Sequence, residues 1–126
     1  MQRILIPAIF LFSIFGLGAT VYSQCPRMDK SIEKPLRISR GASTVVRDTI
    51  RLCTSHTYSF RATRGQRLSI KLTTGNRTSL TLLPPSGEAL VDGELAWSGK
   101  LNENGRYEIQ IGTDATARYT LEVSIK

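Results

Sequence analysis

The feature that most limits how this chain can fold is a two-residue alternation that keeps returning along it. In the last segment Tyr119, Leu121, Val123 and Ile125 take one phase, and Thr120, Glu122 and Ser124 take the other. A strand with one face on a core and one in water needs this pattern. It recurs through Tyr58, Phe60 and Ala62, through Leu68, Ile70 and Leu72, and through Tyr107, Ile109 and Ile111. Turn signals separate the runs: Arg64-Gly65-Gln66, Thr74-Gly75-Asn76, Pro84-Pro85-Ser86-Gly87, Asp92-Gly93 and Asn104-Gly105, each rich in residues that reverse a chain. Short alternating runs about 8 to 12 residues apart, with no helical period, predict an all-β chain folded as a single antiparallel β-sandwich. Strands are expected near residues 36–40, 44–52, 57–62, 68–72, 79–83, 89–91, 95–100, 106–111 and 118–125. Tyr58, Phe60, Leu68, Ile70, Leu72, Leu80, Leu82, Tyr107, Ile109, Ile111, Tyr119, Leu121 and Val123 form the expected core.

Ahead of the alternation the composition changes. Arg3 precedes residues 4–21, an uncharged apolar run, and Val21-Tyr22-Ser23 supplies small residues before Gln24; residues 1–23 read as a secretory signal peptide. The run approaches the length that spans ~30 Å of hydrocarbon, so a retained anchor is the alternative, but Pro7, Gly16 and Gly18 interrupt it and suit a cleaved signal. Residues 24–35, polar with two prolines and no period, read as an N-terminal tether, and residues 36–126 as the sandwich domain. About 100 mature residues suffice for one small domain, placed in the periplasm or secreted and without a membrane span once the signal is removed. Two cysteines, Cys25 and Cys53, then meet an oxidising compartment, where such a pair in a small domain forms a disulfide. That bridge is worth about 3 to 4 kcal/mol in the chain-entropy model. With His56 as the only histidine, a zinc site of Cys and His ligands is not expected, nor is any cofactor.

Charge is uneven as well as positive. The chain carries a formal +7, and residues 37–77 hold nine basic side chains against Asp48 alone, whereas residues 78–126 hold four basic and seven acidic ones. This predicts a basic face suited to an anionic partner, although alternation sends several of these cations outward whatever the function. Candidate catalytic and metal-binding residues are sparse: His56 has no Gly-x-Ser-x-Gly elbow to serve, and Glu88, Asp92 and Glu94 cluster at a turn without EF-hand spacing for calcium. Asn76-Arg77-Thr78 is a glycosylation sequon that matters only in a eukaryote. Trp97 reads as a half-buried sandwich aromatic, with sugar stacking the alternative. The chain reads as a noncatalytic protein with no nucleic-acid partner.

Thr57-Tyr58-Ser59-Phe60-Arg61-Ala62, Arg64-Gly65-Gln66 and Leu68-Ser69-Ile70, followed by Trp97-Ser98-Gly99 and Gly105-Arg106-Tyr107-Glu108-Ile109, resemble the pre-peptidase C-terminal type of β-sandwich. More narrowly, the order of these motifs and the closing Tyr119-to-Lys126 strand are similar to the small periplasmic inhibitors of g-type lysozyme. The resemblance covers most of residues 36–126. It implies a protein inhibitor whose loops at one sandwich end enter the lysozyme cleft, and carries that surface onto His56 in the loop before the Thr-Tyr-x-Phe strand and onto Thr113, Asp114 and Arg118 around the loop before the last strand. Here the first loop has Cys53 near the position where the inhibitors carry an aromatic, and the second is shorter and ends in a single arginine.

Two function classes follow. One is a secreted inhibitor that plugs an enzyme cleft with loops. The other is an accessory module whose basic face binds anionic envelope polymers or another envelope protein. Arginines gathered at one sandwich end favour the first; basic residues spread across one sheet favour the second.

Overall fold

The computed structural model describes residues 30–39, 41–75 and 77–126; the expected signal peptide and Cys25 lie outside them. Among the described residues nine strands form: β1 (Lys30–Pro35), β2 (Ser43–Ile50), β3 (Thr54–Ala62), β4 (Arg67–Thr74), β5 (Thr78–Leu83), β6 (Val91–Glu94), β7 (Ala96–Lys100), β8 (Gly105–Thr113) and β9 (Ala117–Ile125). They make a five-stranded sheet in the order β1-β3-β8-β5-β6 and a four-stranded sheet in the order β2-β9-β4-β7, packed face to face as an all-β sandwich.

The alternating phases decide what lies between the sheets. Every residue expected in the core is buried there, from Tyr58 and Phe60 in β3 to Tyr119, Leu121 and Val123 in β9. Phe60 and Tyr107 are register partners on β3 and β8, and their rings stack with centroids 5.7 Å apart. Ile50, Leu36 and Leu101 join this core. Leu101 is fully buried although it belongs to no strand: its N–H donates to the Gln66 carbonyl and its carbonyl accepts from Gly65 N–H, both at 2.8 Å, so the β7–β8 connection is pinned inward over the β3–β4 turn.

Most turns do not join neighbouring strands. The chain changes sheet at every connection except β5–β6, so Gly65, Gly75 and Asn104-Gly105 mark passages between sheets rather than hairpins. The β5–β6 pair does fold back within its sheet. Its register shifts between Leu80 and Thr81, opposite Gly93 at φ 76°, a left-handed conformation open to glycine at a bulge. The sequence places a turn at Asp92-Gly93; here that pair lies within β6.

The first strand also differs from expectation. Residues 30–35, read as part of a loose tether, pair parallel with β3 from Lys30↔Thr54 to Pro35↔Ser59, while residues 36–39 are not a strand. β1 is an edge strand, where Pro35 at the terminal position removes no essential ladder donor. Leu36 then turns inward, its N–H donating to Ser59 O at 3.0 Å. No helix of the described residues is long and apolar enough to cross a membrane.

Candidate functional site

Three connections meet at one end of the sandwich: β2–β3 (residues 51–53), β4–β5 (75–77) and β8–β9 (114–116). Backbone and short side chains tie them together. In the first, Thr54 N–H donates to Arg51 O at 3.1 Å, and the turn passes through Cys53 at φ 69°, a left-handed conformation uncommon for a residue with a Cβ. Leu52 N–H reaches across to Thr116 Oγ1 at 3.0 Å, which joins the first loop to the third. In the third, Thr113 Oγ1 accepts from Ala115 N–H at 3.0 Å and also bonds the Ala115 carbonyl, while Asp114 N–H donates to Arg77 O at 3.1 Å, joining the second loop.

The expected site residues therefore divide. Arg118 lies two residues into β9, exposed on the outer face of the four-stranded sheet and opposite Thr49. Asp114 is exposed in the third loop. Thr113 is partly buried, its hydroxyl engaged by Thr78 at 3.0 Å as well as by the turn. His56, expected in a polar loop, is in β3 and only 3% exposed. No cysteine among the described residues is free. Exposed Leu52 and Arg51 stand beside Arg118's end of β9, and Arg118 shares a surface depression of about 470 Å³ with Arg47, Thr49, Thr73 and Thr120. Arg47 faces Thr120 in the ladder, so Arg47 and Arg118 are diagonal cross-strand neighbours within reach of one ligand.

Just inside this end lies a polar chain that bridges the sheets. Asp48 occupies the inward phase of β2 between Val46 and Ile50 and pairs with Lys34 of β1 at 2.5 Å. His56 Nδ1 is 3.8 Å from the same carboxylate and 2.7 Å from the Tyr119 hydroxyl, which meets the Tyr58 hydroxyl at 2.6 Å. Either member of the last two contacts can donate. The Lys34 hydrogen bond holds Asp48 below its ordinary carboxylate range, and Asp48 in turn raises Lys34. Burial pushes His56 down, so the ring is neutral at pH 7, and pushes the Tyr58 and Tyr119 phenols up. A neutral, covered imidazole bonded to the Tyr119 hydroxyl is a structural arrangement: it satisfies a buried polar group and presents nothing to a ligand. Among the described residues no group of His, Cys, Asp or Glu is arranged to hold a metal.

Sequence reasoning missed Lys34 and Asp48. The signal was available for Asp48, a carboxylate falling on a core phase, which implies a buried partner. It was absent for Lys34, whose segment shows no period.

No family model matches the chain, and no curated protein matches it. Solved structures do. The periplasmic inhibitor of g-type lysozyme from Aeromonas hydrophila aligns over 77% of this chain and 98% of its own, at 22% identity and a TM-score of 0.69. Its Salmonella Typhimurium counterpart aligns over 75% and 98%, at 20% identity and a TM-score of 0.58. The pre-peptidase C-terminal domain of a Bacillus anthracis collagenase aligns over 76% and 94%, at 13% identity and a TM-score of 0.55. At these identities the likeness is one of fold, and the fold is the one the sequence motifs imply.

Proposed function

We propose that this protein is a noncatalytic, periplasmic or secreted binding protein that inhibits a g-type lysozyme through the loop end carrying Leu52, Asp114 and Arg118. The observation that carries the reading is the Leu52–Thr116 hydrogen bond. It makes one cross-braced surface from two loops that lie 64 residues apart in the chain. Such pre-ordering lowers the entropy cost of entering a cleft. Exposed Leu52 offers an apolar anchor, and the Arg118 guanidinium suits the carboxylates that line a glycosidase cleft. Fold likeness to two periplasmic inhibitors supports the class of partner and the compartment. A Cys25–Cys53 disulfide is part of the proposal: it would anchor the segment preceding β1 to the first loop. His56 is assigned an internal role, holding Tyr119 and Tyr58 beneath that surface.

Complex formation tests this by size-exclusion chromatography of the mature protein mixed with a g-type lysozyme. Co-elution is expected, weakened in Leu52→Asp and unchanged in Arg61→Ala, which lies on the outer face of the other sheet. Separate elution at micromolar concentrations would contradict the reading.

A further inference from the structure

The two outer faces of the sandwich differ in charge. On the five-stranded sheet Arg106 lies 3.7 Å from both Glu33 and Glu108, so carboxylates meet a cation there. On the four-stranded sheet the outward positions include Arg47 in β2, Arg67 and Lys71 in β4, Lys100 in β7 and Arg118 in β9, with Lys126 just after it. Glu122 is the one acid among the described residues of that face, and although it stands opposite Lys71 in the ladder it forms no ion pair. None of the cations on this face has a carboxylate partner among the described residues.

Hydroxyls fill the spaces between these cations. Ser43 pairs with Ser124, Ser124 with Ser69, and Ser69 with Ser98, a continuous row across all four strands at the inter-strand spacing of about 4.8 Å. None of the four hydroxyls has a partner within the described chain. The row borders a depression of about 280 Å³ that Arg67 and Lys126 share with Ser69, Ser98 and Ser124. The larger depression with Arg47, Arg118, Thr73 and Thr120 lies at the other end of the same face. From Thr73 to Arg67 along β4 is about 20 Å at strand rise.

We infer that this face binds a linear acidic polysaccharide, with uronate carboxylates on the cations and sugar hydroxyls on the Ser43–Ser124–Ser69–Ser98 row. The chemistry selects the glycan: a surface of cations alone would take any polyanion, whereas alternating hydroxyls and cations match a polymer that carries both groups on each repeat. Among the described residues the face has no outward aromatic, Trp97 packing toward the core, so they offer no stacking platform of the kind that binds single-stranded nucleic acid. The inference gives a ligand chemistry to the polymer-binding class that cations spread across one sheet favour; it does not rest on the lysozyme reading, and Arg118 borders both surfaces.

The test therefore uses Arg67 and Lys71, away from the loop end. Binding of the mature protein to polygalacturonate oligomers is measured by titration calorimetry, beside methyl-esterified polygalacturonate, dextran and oligo-dT. The free-acid oligomer is expected to bind and to weaken as salt rises from about 0.05 M to about 0.3 M, because exposed charges are screened. Arg67→Glu with Lys71→Glu should lower its affinity at least ~10-fold while the circular dichroism spectrum and melting midpoint stay in place. Ser69→Val with Ser124→Val should lower it without altering the salt dependence. Absence of polygalacturonate binding would overturn the inference. So would equal binding of the methyl ester, equal or tighter binding of oligo-dT, or full affinity in the charge-reversed variant.

Discussion

The His56 imidazole and the Tyr119 hydroxyl meet at 2.7 Å across the gap between the two sheets, and through Tyr119 the contact extends to Tyr58. His56 and Tyr58 share the inward phase of β3, and Tyr119 faces them from β9 beside Asp48. Tyr119→Phe keeps the ring and removes the hydroxyl shared by two buried partners. The expected cost is about 1 to 3 kcal/mol, the penalty of leaving a buried polar group unpaired. Urea denaturation of the two proteins checks it, and an unchanged midpoint would mean that the hydroxyl is replaceable by water.

The same chain sets a pH dependence. His56 has a depressed pKa in the folded protein, so below about 6.5 the unfolded state gains a proton that the fold resists, and stability falls as pH falls. Asp48 is depressed below the ordinary carboxylate value, so its contribution is present above about 4 and is lost as pH drops further. Lys34 is raised; its contribution holds below about 10.4 and is lost above it. Stability measured from about pH 7.5 to about pH 5 should decline in the native sequence and decline less in His56→Gln. Equal slopes would contradict the assignment.

Trp97 and Gly99 are neighbours on one phase of β7. A Cβ added at Gly99 would lie 2.8 Å from Trp97 Cζ2 and 2.9 Å from Cη2, closer than carbon atoms tolerate, so the indole has to move. Gly99→Ala should destabilise by about 1 to 3 kcal/mol, as overpacking does. Trp97 is the sole tryptophan, so its emission reports the displacement directly. Unaltered emission with an unaltered midpoint would contradict the clash.

The bridge proposed between Cys25 and Cys53 predicts no reactive thiol in the purified, unreduced mature protein. Thiol labelling before and after reduction should find none and then two, with a loss of stability of up to about 3 to 4 kcal/mol on reduction. Two thiols without reduction would remove the bridge.

Alternation made the core legible, because a strand with one wet face writes its buried phase into every second residue; Ile70, Ile109 and Leu121 needed no other signal. Pairing was less legible. A turn sequence such as Asn104-Gly105 reports that the chain reverses, and the same residues serve a hairpin or a passage from one sheet to the other, which is the use found here. β1 was unreadable because it is an edge strand whose residues are mostly exposed, so no face needed a period. His56 closes the polar stretch from Cys53, which carries no signal of burial; in the fold β3 begins at Thr54 and turns His56 inward, 3% exposed. The loop end was legible in outline from Cys53 and Arg118, whereas its bracing through Thr116 and Thr113 depends on hydrogen bonds between segments distant in sequence.

The central claim is most directly tested by lysis of a peptidoglycan suspension by a g-type lysozyme with increasing amounts of the mature protein. Lysis should fall as the protein is added, and Arg118→Ala should weaken the effect by about 2 to 5 kcal/mol if the guanidinium sits in a desolvated pair. Undiminished lysis at micromolar excess would contradict inhibition.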